Sequence, residues 1–481
     1  MAVYMKDKIR NIAIVGHSGE GKTSLLEAIL FATKAIDRLG SVPAGNTVSD
    51  FDQEEINRKM SISLSLASTY YKDYKFNFLD VPGFFDFEGE MMAALSVADT
   101  AIIVTSATGT LSVGTEKAIE TCTEKGVPMF VWVNGINKEN SSYSATVEAI
   151  RAKYGVKIVP IEIPVMNGYD CTGYVDVVGK KAYDLNGKEI AIPGNLSASV
   201  EEYNGVITEA AAEADDELLE KFFSGEELTQ DELFSGMKKR MNAAEIIPIV
   251  GGAAVGKPVL TNLLNNIVNL FASPAEGRKV QAVDSKGETI EIECDENGKF
   301  AAQVFKTIVD KFIGKLNLFK VASGKVKLGD QLLNTANSET EKVSALLAVK
   351  GGKTEAIDSL YAGDIGAFAK MSYTSTGNTL CDPANEVTIK PIDFPEPVIS
   401  FAVSSPKQED EEKVISSLYR LMDEDTTFKV EKNVETTEIL LSGVGEMQID
   451  ILCKKVKNKF GYDVTLNEPK ISFRETIKKT V

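Results

Sequence analysis

Histidine is almost missing from this chain. One occurs in 481 residues, His17, so no second imidazole can stand in for another. Cysteine is sparse too: Cys122, Cys171, Cys294, Cys381 and Cys453 are odd in number and never fall in CxxC spacing. That pattern fits reduced thiols in a cytosol and points away from a structural metal. No stretch approaches eighteen uninterrupted apolar residues, and the charged opening MAVYMKDKIRN lacks the apolar core of a signal peptide. The sequence therefore predicts a cytoplasmic protein with no membrane association. Basic residues are outnumbered, 52 Lys and Arg against 70 Asp and Glu, a net charge of −18. A protein that coats DNA or RNA nonspecifically needs the opposite balance, although local contact with nucleic acid stays open.

What remains is an ordinary globular composition, 43% hydrophobic and 25% charged, over a length that suggests two to four domains. The apolar run Asn11 to Val15 leads directly into GHSGEGKT, Gly16 to Thr23, which satisfies GxxxxGK[ST]. Beyond it, Leu25, Leu26, Ile29 and Leu30 recur at helical spacing, so the motif lies between a strand and a helix. Glycines there let backbone N–H groups turn inward around phosphate oxygens, and the helix N-terminus adds a favourable dipole. The reading is a nucleoside triphosphate site built from Gly16, His17, Ser18, Gly19, Glu20, Gly21, Lys22, Thr23 and Ser24. Lys22 supplies countercharge and Thr23 a hydroxyl to magnesium.

A second element follows where Phe76, Phe78 and Leu79 end a strand at Asp80, giving DVPG. Asp80 is a candidate to support the magnesium from behind its direct ligands. Gly83, without a side chain, lets its amide approach a terminal phosphate. Apolar strands Ala101 to Val104 and Met129 to Val133 alternate with helical segments, the βα rhythm of a mostly parallel sheet.

The order GHSGEGKT, EEINRKMSIS, DVPGFFDF and VNGINK resembles that of the translational GTPases. Later stretches, among them DKFIGKLNLFKVASGKVKLGDQLLN, YAGDIGAF, TGNTLCD, LSGVGEMQIDI and PKISFRETI, resemble elongation factor G in sequence order over nearly the whole chain. The resemblance implies GTP and GDP as ligands with magnesium, and the ribosome as partner through its RNA and stalk proteins, bound by a monomer. It makes Gly45 to Ser63 the first switch, with Ser61 in the place of a magnesium-binding threonine, and Asp80 to Phe87 the second. It places base contacts at Asn134, Asn137 and Lys138, and in the loop Gly251 to Ala254, chiefly Gly252 and Ala253.

The departures from the family pattern shape the functional expectation. Its second switch reads DTPGH, with a histidine that orients the attacking water, whereas Phe84 stands at that place here. Loss of such help costs on the order of 10² to 10⁴ in rate, so slow hydrolysis is expected. Gly19 stands where an aspartate is frequent, which puts an auxiliary monovalent cation site in doubt. The base-recognition pattern NKxD becomes Asn134, Gly135, Ile136, Asn137. Asn137 offers guanine one acceptor where a carboxylate offers two, and its amide donor faces the guanine amino group, so xanthine suits it better.

The expected architecture is multidomain α/β: a nucleotide domain, mostly parallel sheet, at 1–277 with an acidic α+β insert at about 158–245 whose acid-rich stretch has helical periodicity, a β-barrel at 278–392, and a ferredoxin-like βαββαβ domain at 393–472. Residues 473–481 would open a further domain, so the chain is either cut short or a natural short form unable to translocate messenger RNA unaided. For the insert, contact with ribosomal stalk proteins and a merely solvated acidic face stand side by side. Two other functions compete with an elongation factor: ribosomal protection of the tetracycline-resistance kind, and a non-hydrolysing nucleotide sensor.

Overall fold

The computed structural model describes residues 4–255, 259–310 and 314–473. Residues 474–481, and with them the proposed start of a further domain, lie outside that set. Among the described residues no helix is long and apolar enough to cross a membrane, and all five cysteines are free thiols.

The apolar run that precedes the glycine-rich loop forms β1 (Ile9–Val15), buried along its whole length. Around it assemble β2 (Ser65–Tyr71), β3 (Tyr74–Asp80), β4 (Thr100–Ser106), β5 (Met129–Asn134), β6 (Ile158–Pro160) and, later in the chain, Ile247–Gly252. β1 pairs in parallel with both β3 and β4, β4 with β5, and β5 with Ile247–Gly252, while β2 runs antiparallel to β3 at the edge. Strands buried on both faces read as continuous apolar runs, and so they do here. Helices α1 (Lys22–Ala32), α3 (Glu88–Val97), α4 (Val113–Glu124) and α5 (Tyr143–Tyr154) cover the sheet, and the short α2 (Gln53–Arg58) lies in the first-switch segment. The strand order grows outward from β1 in both directions. In such sheets the ligand crevice opens beyond the carboxyl end of that strand.

The insert is α+β, as expected, and its strands come first. Its first half is a four-stranded antiparallel sheet of β7 (Glu162–Asn167), β8 (Asp170–Asp176), β9 (Lys181–Asp184) and β10 (Glu189–Ile190). Only then come α6 (Ser197–Ala212), α7 (Asp216–Ser224) and α8 (Gln230–Asn242). The reason is local: Gly168-Tyr169 turns β7 into β8 and the four residues 185–188 turn β9 into β10, with Gly168 and Gly187 at φ +62° and +80°. Along β8 the buried Cys171, Gly173 and Val175 alternate with less buried neighbours.

After α9 (Leu263–Leu270) the chain turns β-rich from Val280 to Ile389, centred on the paired ten-residue strands Ala301–Asp310 and Gly314–Ser323. Phe319 and Phe368 stack there with ring centroids 3.7 Å apart in a second core. A polar seam ties this unit to the first. Lys75 Nζ donates to both Asp364 oxygens at 2.7 and 2.8 Å, Asn77 links Asp364 to Asn11, Asn11 donates to Asp99, and Lys320 donates to Asp99 at 2.6 Å.

The third unit runs strand, α10 (Glu411–Leu421), two strands, α11 (Glu446–Phe460), strand, the expected βαββαβ order. Its sheet places Thr465–Asn467 beside Ile399–Ser404, then Ile439–Gly443, then Lys429–Lys432, the split-βαβ arrangement. Ile449, Leu452 and Val456 of α11 are buried in its core, and Phe460 packs against them.

Glu162 at the start of β7 is wholly buried, accepting from the Asn262 backbone at 3.4 Å and from the Asn266 side chain. Burial pushes its carboxyl from 4.5 up to about 7. The folded state thus holds a proton that the unfolded chain releases near 4.5, so this group favours folding at low pH and the advantage is lost as pH rises toward 7. Between pH 5 and 8 the parent should lose stability relative to a Glu162→Gln variant, by up to about 3 kcal/mol. Thermal unfolding of both proteins across that range tests the sign.

Candidate functional site

The glycine-rich loop sits where the sheet order requires, at the carboxyl end of β1. Gly16, Gly19 and Gly21 adopt φ of +138°, +83° and +93°, and Gly21 passes the chain into α1. Leu25, Leu26, Ile29 and Leu30 of α1 are buried, and on another side Glu27 faces the first-switch segment and accepts from the backbone N–H groups of Gly40 (2.9 Å) and Val48 (2.6 Å). Ser18 and Ser24 are half-buried and Glu20 is nearly buried. His17 lies beside Gly114, its ring 6.3 Å from that of Phe85 and its Nδ1 buried without a hydrogen-bond partner.

Lys22 Nζ donates to the Gly16 and His17 carbonyls at 3.0 and 2.9 Å. Burial lowers its amine to about 8 against the opposing charges of Asp80, Glu20 and Asp50. The second switch comes within touching distance: a Cβ added to Gly83 would lie 2.3 Å from Lys22 Nζ and 2.5 Å from the Ser18 amide. Only glycine can occupy that position, between the lysine and the loop's N–H groups.

Beside the lysine is a cluster of oxygens. Thr23 Oγ1 donates to Asp80 Oδ2 at 2.8 Å and lies 3.1 Å from Ser61 Oγ. Ser61 donates to Asp50 Oδ1 at 2.7 Å, and Ser49 donates to Asp80 Oδ2 at 2.7 Å. Asp80 Oδ1 and Asp50 Oδ2 are buried with no partner. Burial first, then the neighbouring Asp50 charge, raises the Asp80 carboxyl to about 6, and burial raises Asp50 as well. Three hydroxyls, two carboxylates and unpaired oxygens fit a hard divalent cation such as magnesium. Thr23, Ser61 and Asp80 were expected there. Asp50 and Ser49 were not, since no motif marks them and only the folding back of the first switch brings them in. That fold is fixed by Glu55, which accepts from the Asp52, Ile62 and Ser63 amides at 3.1, 3.0 and 3.1 Å.

Asn134 works between loops: its Nδ2 donates to the Glu20 carbonyl at 2.8 Å, and its Oδ1 accepts from the Ala254 amide at 3.0 Å. Gly252 accepts from the Ile136 amide at 3.2 Å, and Ala253 pairs with Val259. The three loops assigned to phosphate and base are thus brought together. Asn137 is half-buried and Lys138 exposed, and the Lys138 stem lies across Gly135, with its Cε 3.1 Å from where a Cβ would stand. Phe84 joins an apolar cluster with Met60, Ile62, Phe87, Met447 and Ile451.

A parallel sheet with a GxxxxGKT loop at its switch point and an oxygen cluster beside the lysine defines a P-loop nucleotide-binding protein. Residues 7–273 match the elongation factor Tu GTP binding domain, 299–383 elongation factor G domain 2, and 394–468 elongation factor G domain III. The chain is 34% identical to elongation factor G of Thermotoga maritima over 481 residues, covering 98% of itself and 70% of that protein. A crystal structure of a Thermus thermophilus protein superimposes with a TM-score of 0.86 at 30% identity, over 98% of this chain and 69% of the other. The chain belongs to the elongation factor G family of translational GTPases.

Replacing Lys22 with alanine removes the one ammonium at the loop. Uptake of magnesium GTP should weaken by about 100-fold, about 3 kcal/mol, as expected for a charged hydrogen-bonding group. Titration calorimetry of parent and variant in magnesium buffer measures it.

Proposed function

We propose that this chain binds GTP and GDP with magnesium through Gly16 to Ser24, Asp80, Gly83, Asn134, Asn137, Lys138, Gly252 and Ala253. In this reading it acts as a monomer on the cytoplasmic ribosome in the manner of an elongation factor, contacting ribosomal RNA and stalk proteins. Lys22 balances the phosphate charge; Thr23 and Ser61 hold magnesium, with Asp80 behind them. The units at 1–277, 278–392 and 393–472 act as its nucleotide, β-barrel and ferredoxin-like domains. The observation that carries this reading is the convergence of Lys22, Gly83, Thr23, Ser61 and Asp80 in one polar cleft at the carboxyl end of β1.

Hydrolysis in this proposal is slow. No imidazole stands at position 84, and the phenylalanine there is engaged in apolar packing. The same observation favours a second reading, a sensor switched by occupancy alone. Turnover measured with and without ribosomes separates the two: stimulation by ribosomes supports the factor, and no turnover in either condition supports the sensor. A Phe84→His variant should raise GTP turnover by about 100-fold in ribosome-stimulated assays, within the range of a positioned acid–base group.

Base choice follows from Asn137, which stands where a carboxylate would accept from guanine N1 and N2. A competition series should show a raised ratio of xanthosine to guanosine triphosphate affinity, and Asn137→Asp should shift that ratio toward GTP by about 10-fold or more. Ribosome co-sedimentation with each triphosphate and its non-hydrolysable analogue tests partner and nucleotide together. Equal pelleting with and without nucleotide would contradict the proposed switch.

A further inference from the structure

The second switch does more than approach the phosphate loop. Its next residues, Phe84 to Phe87, form the floor on which α11 of the third unit rests. Phe87, Ile62 and Ile451 are 6, 5 and 2% exposed, and Met60, Phe84 and Met447 close the cluster around them. Three separate pieces of chain meet in this apolar patch: the first switch through Met60 and Ile62, the second through Phe84 and Phe87, and α11 through Met447 and Ile451.

A polar contact fixes the orientation. α11 has no side-chain cap of its own, since its N-cap is Gly445. Asp86 supplies one from the second switch: its Oδ2 accepts from the Met447 amide at 2.9 Å. A Cβ on Gly445 would lie 2.1 Å from the same oxygen, so the carboxylate fits only against bare backbone. A carboxylate at a helix N-terminus is favoured by the free N–H groups and by the dipole. Around this centre Arg58 pairs with Asp450, and Asn458 donates to Glu54 at 3.1 Å, both joining α2 of the first switch to α11.

We propose that Phe84 is a positioning residue that seats α11 against both switches, so that occupancy of the phosphate loop sets the docking of the third domain without bond cleavage. The link is short. Gly83 abuts the Lys22 amine and the Ser18 amide, and Phe84 is the next residue along the chain. The half-buried phenyl ring at 84 packs against the cluster of Ile62, Phe87 and Ile451 and gains by that burial. The side chain that removes a water-orienting group thereby adds an apolar contact between domains.

The inference rests on the reading of Gly16 to Ser24 as a nucleotide site, and one experiment distinguishes the two. Hydrogen–deuterium exchange of the whole chain is followed with and without a non-hydrolysable GTP analogue and magnesium, in peptides covering 16–24 and 446–452. In the parent the analogue should slow exchange in both. In Phe84→Ala the loop should be protected as before, while 446–452 exchanges at least 10-fold faster than in the parent and ceases to respond to the analogue. Phe84→Leu, which keeps an apolar side chain, should restore the response, and Ile451→Ala should reproduce the loss from the opposite side of the contact. Protection of 446–452 in Phe84→Ala equal to that in the parent overturns the proposal. No protection of 16–24 in the parent overturns the nucleotide reading, and the proposed link with it.

Discussion

A buried carboxylate with too few partners governs the first unit. Asp80 ends β3 inside the protein, takes hydrogen bonds from Thr23 and Ser49, and leaves one oxygen unpaired beside Asp50. Two carboxyl groups so placed repel each other and resist ionisation, and a cation between them relieves both effects. The phosphate loop sends Thr23 to this point, the second switch Asp80, and the first switch Ser49, Asp50 and Ser61, so three segments meet at one concentration of charge.

The strands and the phosphate loop were legible because their signals are local. NIAIV before GHSGEGKT requires no partner to be read, and the stripe Ile449, Leu452, Val456, Phe460 describes its own buried face. The order of the third unit followed from alternating strand and helix periods. What escaped was whatever depends on distant residues meeting. Asp50 and Ser49 carry no motif and reach the cluster only because Glu55 and Glu27 pin the first switch by backbone amides. Phe84 was legible as a missing histidine, but its role between domains depends on Met447 and Ile451, which lie far downstream in the third unit.

The contacts that the second and third units make with the first differ in kind. Between the first and second units lies a seam of buried charges and amides, Lys75 with Asp364 and Lys320 with Asp99, in which every group depends on its partner. Removing one member of such a pair costs far more than the pair contributes, so the seam favours a single fixed geometry. The third unit rests on apolar side chains, one helix cap and half-exposed ion pairs, contacts that can be broken and remade at lower cost.

The seam ends in a feature of the backbone itself. Lys350 of the second unit pairs with Ala67 of β2, and the Gly351 amide donates to the Leu66 carbonyl at 2.7 Å. β2 is the outermost strand of the first sheet on that side, and an open strand edge is a template for other chains. Here the neighbouring unit pairs with it at Leu66 and Ala67, joining both units in one continuous sheet of fifteen strands. The first sheet expressed without the second unit would present the backbone at Leu66 and Ala67 as an open edge, available to a strand from another chain.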